Sequence, residues 1–474
     1  MRKGEIAIKV HLLYSCRGRT NTLEKIRILF LDDKNNAKNM SKRIVKIIGG
    51  GLAGCEGALQ LLKRGFAVKM YEMRPTKTTG AHKGDSLAEL VCSNSLKSTE
   101  PCTASGLLKK ELDMLGCALL PIARECGVPS GSALSVDREK FSKAVEKELA
   151  KYPDFTLIRE EVTSLDEDIP TIVASGPLTS DALAEQVGKL TGKDRLFFYD
   201  AIAPIVEFDS IDMQKAYFGG RYGKGGEDYL NLPMQKEEYE RFYNELVNAK
   251  TVLLHDFEKS ELFDGCMPIE EMAKRGSDTI RFGPLKPIGL RNPQTGEKAY
   301  AVVQLRKENI AGDCYNLVGF QTNLTYGEQK RVFSLIPALE HAEFIRYGVM
   351  HRNTYINAPG VLEKTFRVKG SRPLYIAGQL SGVEGYVESI MSGMIAAQAL
   401  ANELDGKQYA VPGDVTIIGS LCEYVSTRAL DFKPMNANFG ILPPVEGIRD
   451  KSKRKAEYSR RSLEAMHELL NEQE

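Results

Sequence analysis

Residues 44 to 54, IVKIIGGGLAG, run a β-branched stretch straight into Gly49, Gly51 and Gly54. No other segment restricts the fold as much. In this spacing the first glycine permits a strand-to-helix turn, the second lets backbone approach a pyrophosphate, and the third lets the helix pack on the strand. Gly50, Leu52 and Ala53 complete the turn, and the N-terminus of the helix faces the phosphates. That helix reads from Leu52 to Arg64, with Leu52, Leu59 and Leu62 apolar and Gly65 as its stop. A second strand, FAVKMYE, ends at Glu72, where an acid grips a ribose hydroxyl. Its charge repels a 2'-phosphate, which favours FAD or NAD over NADP. The pattern predicts an α/β chain with a Rossmann-like domain that binds FAD or NAD.

Two later segments return to this fold. TIVASGP (Thr171 to Pro177) is a short apolar strand ending in small residues, the kind of strand end that passes beneath a dinucleotide. PLYIAGQLSGVEGYVES and the small-residue run behind it predict a strand, a turn through Gly378, Gly382 and Gly385, and a long helix. The FAD-binding domain is therefore expected to be discontinuous, over 41–199 and 360–474. An inserted α+β substrate domain is expected over 200–359, where aromatic and basic residues, Pro-punctuated turns and the helical KEEYERFYNELVNAK occur. The C-terminal RDKSKRKAEYSRRSLEAMHELLNEQE reads as a charged helix whose basic half is able to touch a phosphate backbone. Residues 1–40 interrupt their apolar runs with Lys, Arg and Asp and lack a signal-peptide pattern, so they are expected to be an extension without catalytic role.

Composition decides less. Lys plus Arg number 64 and Asp plus Glu 63, so a polyanion such as RNA must meet a local basic patch rather than a positive protein. The nine cysteines include no CxxC pair, which predicts free thiols in a reducing cytoplasm and no metal site. No apolar run reaches the ~20 residues of a membrane span.

Two cysteines stand apart by their surroundings. Cys92 lies in ELVCSNSLKS and Cys266 in FDGCMPIEEMAKRG. Turn and cap residues after the first, and Pro268 after the second, predict that both sit by helix N-termini, where a thiolate is stabilised. Glu270 and Glu271 oppose this at Cys266. The alternative is that either is a small buried hydrophobe.

The chain from about Met40 onward resembles the folate- and FAD-dependent tRNA (uracil-5-)-methyltransferase family. The matching segments include IIGGGLAGCEGALQLLKRGFAVKMYEMRP, AELVCSNSLKS, DGCMPIEEMAKRG, LVGFQTNLTYGEQKRVF and LYIAGQLSGVEGYVESIMSGMIAAQAL. The resemblance implies methylation of C5 of the T-loop uridine (uracil-54) in tRNA. Its carbon comes from methylenetetrahydrofolate, FAD is carrier and reductant, and NAD(P)H supplies the electrons. It further implies that Cys266 is the nucleophile, that Cys92 assists proton removal or cofactor loading, that Tyr326 stacks on the folate pterin, and that Tyr386 lies near the flavin. Competing readings are a flavin oxidoreductase of a small metabolite, a related flavoprotein modifying wobble uridines, and a flavin-bearing RNA-binding protein without catalysis.

Overall fold

The computed structural model describes residues 43–165, 168–191, 195–223, 226–252, 267–427 and 432–473. Residues 1–40 and Cys266 lie outside the described residues.

The glycine turn is where the sequence places it. Strand β1 (Ile44–Ile48) runs through Gly49 into helix α1 (Leu52–Lys63), and β2 (Ala67–Tyr71) follows. Phe155–Ile158 forms β3, Thr171–Val173 β4 and Leu374–Ile376 β5. These five make one sheet in the order β5-β4-β1-β2-β3, with every neighbouring pair parallel. Val45, Ile47, Val68, Met70 and Ile172 are fully buried, as expected where helices cover both faces of a parallel sheet. The chain thus has the Rossmann-like α/β fold, and β5 reaches this sheet some two hundred residues after β4.

Helix α2 (Tyr386–Leu404) follows β5 and lies against α1. Its small residues are explained by that crossing. A Cβ on Gly393 would come 2.1 Å from the Ala53 carbonyl oxygen, and one on Gly57 would come 3.3 Å from that of Gly393. The two backbones touch where neither has a side chain.

A second hydrophobic core, drawn from residues 203–342, is separate from the first, which comes from 45–187 and 355–442. Six antiparallel strands support it, in the order Tyr217–Phe218, Tyr229–Met234, Ala301–Lys307, Cys314–Leu317, Ile205–Glu207, Phe344–Arg346. Helix Lys236–Val247 buries Tyr239, Phe242 and Leu246, the i, i+3, i+7 stripe of an amphipathic helix. The chain passes between the two cores along the antiparallel strands Arg195–Ala201 and Met350–Ile356. Among the described residues no helix is long and apolar enough to cross a membrane, and no His, Cys, Asp and Glu cluster offers a metal three ligands.

The C-terminal helix, Lys451–Gln473, is tied to the first core by a buried acid. Glu111 accepts hydrogen bonds from the N–H groups of Ile417 (2.9 Å) and Ile418 (2.8 Å), and from the Ser462 hydroxyl (2.6 Å). Burial pushes its carboxyl up from 4.5 to about 7, against those three bonds, which favour the charged form. An acid whose folded pKa is raised contributes its full stability below the unfolded value and loses it as pH rises through the folded one. The native protein should therefore lose stability between about pH 4.5 and 7 relative to Glu111→Gln, and hold a constant difference above. Urea midpoints of the two proteins measured across this range test the assignment; parallel curves would sink it.

Candidate functional site

The C-terminal ends of β1, β2, β4 and β5 open into a cleft of about 990 Å³, the position where parallel α/β sheets bind ligands. Gly49, Gly50, Gly51, Leu52, Ala53 and Glu72 line one side, and Gly378 and Tyr386 the other. Ala174 to Pro177, at the end of TIVASGP, also line it.

The three motif glycines do different work. Gly49 has φ +109°, and a Cβ there would sit 2.4 Å from the Ala174 carbonyl oxygen. A Cβ on Gly54 would sit 2.0 Å from the Gly49 carbonyl oxygen, and Gly54 does not line the cleft. Around a Cβ on Gly51 there is no protein atom within 4 Å; the space it would enter is the cleft. The first and third glycines therefore shape the turn, and the second keeps ligand space clear.

Glu72 is buried at the end of β2. One carboxyl oxygen accepts the Gly50 N–H at 2.9 Å, and the other accepts Arg74 Nε at 2.9 Å and the Arg74 N–H at 3.1 Å. Burial alone would raise this carboxyl, but the hydrogen bonds and charge of Arg74, with the Gly50 N–H, hold it below the usual carboxylate range. Glu72 is thus an ionised acceptor facing the turn. Arg74 belongs to no sequence motif, and its one signal in the sequence is a cation two residues beyond Glu72.

A second cleft of about 1130 Å³ adjoins the first. Val91, Pro177, Leu178, Gln379 and Tyr386 line both. Cys92 and Lys97 belong to the second, and Cys92 is the only described cysteine that lines either cleft. Tyr386, the first residue of α2, accepts hydrogen bonds at its hydroxyl oxygen from the N–H of Cys92 (2.8 Å) and of Ser93 (3.2 Å). Burial, with Cys92 beside it, pushes its phenol well above the ordinary range, so the ring stays neutral.

Cys92 is expected by a helix N-terminus, and the residues that follow it do not supply one. Ser93 Oγ accepts the Ser95 N–H and Ser95 Oγ accepts the Lys97 N–H, local bonds that divert backbone from helix. The chain continues as strand Ser95–Ser98. Cys92 meets a helix start only across space, through Tyr386.

Three arginines hold the Cys92 loop by its backbone and side chains. Arg138 donates to the carbonyls of Leu90 and Cys92 (3.1 Å to the latter), and Arg346 to that of Val91 at 2.7 Å. Arg306 donates to Ser93 Oγ (2.9 Å) and Asn94 Oδ1 (3.0 Å). Arg138 in turn pairs with buried Glu308 at 2.8 Å. Arg138→Ala leaves the Glu308 charge buried and unpaired, so a loss of roughly 3–5 kcal/mol in unfolding free energy is expected. Arg138→Ala/Glu308→Leu should recover much of it. A single variant as stable as native in urea would show that the pair is not needed.

The remaining predicted residues lie elsewhere. Tyr326 opens helix Tyr326–Phe333, is 57% exposed, and stacks on Tyr347 with ring centroids 5.1 Å apart; it lines neither cleft. The chain after Cys266 is described from Met267. Pro268 precedes helix Ile269–Lys274, and the Ile269 N–H donates to the carbonyl of Gln321, a wall of the second cleft, at 2.7 Å. Glu270 is buried and accepts bonds from Thr322 and Asn323, and burial raises its carboxyl. Burial also raises the thiols of Cys55, Cys117, Cys126, Cys314 and Cys422. Cys55 additionally donates to the Gly50 carbonyl at 3.3 Å.

The profile of the family described as Glucose inhibited division protein A matches residues 44–408. The chain is 53% identical over 425 residues to the methylenetetrahydrofolate–tRNA-(uracil-5-)-methyltransferase TrmFO of Natranaerobius thermophilus, covering 90% of this chain and 98% of that protein. It is 51% identical over 433 residues to the protein of the same name from Bacillus subtilis, covering 91% and 99%. Among solved structures, Aquifex aeolicus GidA superposes with a TM-score of 0.64 at 16% identity, over 91% of this chain and 74% of that one, a likeness of fold.

Proposed function

This chain belongs to the methylenetetrahydrofolate–tRNA-(uracil-5-)-methyltransferase family, and on that footing we propose that it methylates C5 of uracil-54 in the T-loop of tRNA. Methylenetetrahydrofolate is the carbon donor and NAD(P)H the source of electrons. The observation that carries this reading is the pair of adjoining clefts, one shaped for a dinucleotide and the other holding Cys92, with Tyr386 in the wall of both.

The first cleft fits FAD. Gly51 leaves room for a pyrophosphate, the N-terminus of α1 offers it N–H groups, and ionised Glu72 accepts from a ribose hydroxyl. Every residue lining this cleft comes from 48–183 or 378–389, which supports assigning 41–199 and 360–474 to FAD and 200–359 to folate and tRNA. When bound, FAD supplies the reducing electrons and the transfer of the one-carbon unit. Gly49, Gly50, Gly51, Leu52, Ala53, Gly54, Glu72, Gly378 and Tyr386 are the proposed cofactor-binding set, and Tyr326 stacks on the pterin.

Uracil C5 is too weak a nucleophile to take up carbon unaided. A Cys266 thiolate adding to C6 pushes the ring electrons toward C5 as an enolate, and C5 then attacks the one-carbon unit. Loss of the C5 proton releases the carrier from the one-carbon unit and leaves an exocyclic methylene on C5; a hydride equivalent adds to that carbon to give the methyl group, and re-formation of the C5–C6 double bond expels the thiolate. Cys92 takes the proton-removal or loading role, in a loop whose position is fixed by Arg138, Arg346 and Arg306. Cys266 is assigned from the segment DGCMPIEEMAKRG. The free thiols this requires fit the reducing cytoplasm. Purified protein incubated with methylenetetrahydrofolate, NADPH and an unmodified tRNA transcript should yield 5-methyluridine. No product with flavin-loaded protein would overturn the proposal.

A further inference from the structure

We propose that the first turns of the C-terminal helix, with the residues just before it, form the surface that holds the phosphate backbone of the RNA substrate; this rests on the tRNA reading above. Arg449, Lys451, Lys453, Arg454 and Lys455 place five cations within seven residues, against the single acid Asp450, in a chain whose formal net charge is +1. Asp450 is already engaged at the helix start, accepting the Lys453 N–H at 2.7 Å.

What sets these cations apart is their density, five standing together without a carboxylate partner among the described residues. On other helices Lys143, Lys189, Lys236 and Lys274 each stand within 4 Å of a glutamate one turn away. On the C-terminal helix itself, Arg460 is paired with both Glu457 and Glu464. Among the described residues, none of the five in the basic turn has a carboxylate at ion-pair distance. Arg449, Lys451 and Lys453 are exposed, and Arg454 and Lys455 half-buried. Unpaired like charges repel, and the positive end of the helix dipole adds to that cost; a polyanion removes it. The stretch RDKSKRK has no apolar residue to enter a membrane or seat a protein partner's core, so a phosphate backbone is the fitting occupant.

The placement suits that occupant. Ser459 donates its hydroxyl to the Pro101 carbonyl at 2.6 Å, four residues beyond Lys97 of the second cleft. Lys451 stands about 12 Å along the helix from Ser459, and Pro101 is at most about 14 Å of chain from Lys97. The basic turn thus lies within roughly 30 Å of the second cleft.

Lys451→Gln/Lys453→Gln/Arg454→Gln/Lys455→Gln leaves the buried face of the helix, Ser459, Ser462 and Met466, untouched. It should keep flavin content and melting temperature, keep kcat, and raise KM for tRNA transcript at least about tenfold near 0.15 M salt. The slope of log affinity against log salt should become shallower by about 2 to 3. Arg460→Gln on the same helix should change none of these. An unchanged KM and slope in the flavin-loaded quadruple variant overturns the proposal, as does a loss that is equal at all salt concentrations. Should the quadruple variant fold poorly, Lys451→Gln/Lys453→Gln decides by the same readout, with a slope change of about 1 to 2. If the native protein itself neither binds nor methylates tRNA, the functional reading fails; if it does and the variant matches it, only the surface assignment fails.

Discussion

Cys266→Ala protein is expected to form no detectable 5-methyluridine, a loss of at least about a thousandfold, while keeping its FAD. The reason is chemical: without sulfur at C6 the pyrimidine does not become a nucleophile at C5. The same variant should fail to form the covalent complex that native protein makes with 5-fluorouridine-containing tRNA, because fluorine at C5 cannot leave as a proton does and the adduct is trapped. Cys92→Ala should also stop turnover. Its adduct divides the two roles: a Cys92 variant that still traps 5-fluorouridine keeps an attacking Cys266. Cys102, exposed and outside both clefts, is the control, and Cys102→Ala should behave as native. Near-normal methylation by Cys266→Ala would remove it as nucleophile and make Cys92 the next to test.

Gly51→Val and Gly54→Ala should fail in opposite ways. Gly51 has φ −77° and ψ −171°, backbone that valine adopts readily, and its Cβ meets no protein atom. The variant should fold and lose most of its flavin, to less than about a tenth of native occupancy, because the new methyl groups fill the space of the pyrophosphate. Gly54→Ala adds one methyl group 2.0 Å from the Gly49 carbonyl oxygen, which only a backbone shift can relieve. That change should cost more than about 3 kcal/mol and reduce soluble protein before flavin binding is in question. Absorbance at the flavin band and a urea midpoint on each variant separate the two. Stoichiometric flavin in Gly51→Val would show that the cleft is not the pyrophosphate site.

The first cleft was legible because its determinants are local. IVKIIGGGLAG specifies a strand, a turn and a helix within eleven residues, and Glu72 lies one strand further on. The surroundings of Cys92 were not legible. Arg138, Arg306 and Arg346 reach its loop from 46 to 255 residues away, and no spacing rule connects them to it. Glu308 is equally remote, and its meaning as the partner of Arg138 exists only once both cores have formed. No helix follows Cys92 for a local reason: the Ser93 and Ser95 hydroxyls, which in sequence resemble caps, close turns leading into a strand. Tyr326 shows the reverse limit, since its sequence motif was distinctive and the described residues still place it at the surface, stacked on Tyr347.

The hydroxyl of Tyr386 has one further consequence. Its oxygen receives two backbone N–H groups, those of Cys92 and Ser93, and a phenol oxygen has little accepting capacity beyond that. What it retains is its own hydrogen. At the boundary of the two clefts the ring therefore has a fixed polarity: it can give a hydrogen bond to a ligand and cannot take one. An atom that bonds to it must be a hydrogen-bond acceptor, such as a carbonyl oxygen, a ring nitrogen with a free lone pair, or an anion. Phenylalanine at this position would keep the flat surface, forfeit that selectivity, and leave the Cys92 and Ser93 N–H groups without their acceptor at the same moment.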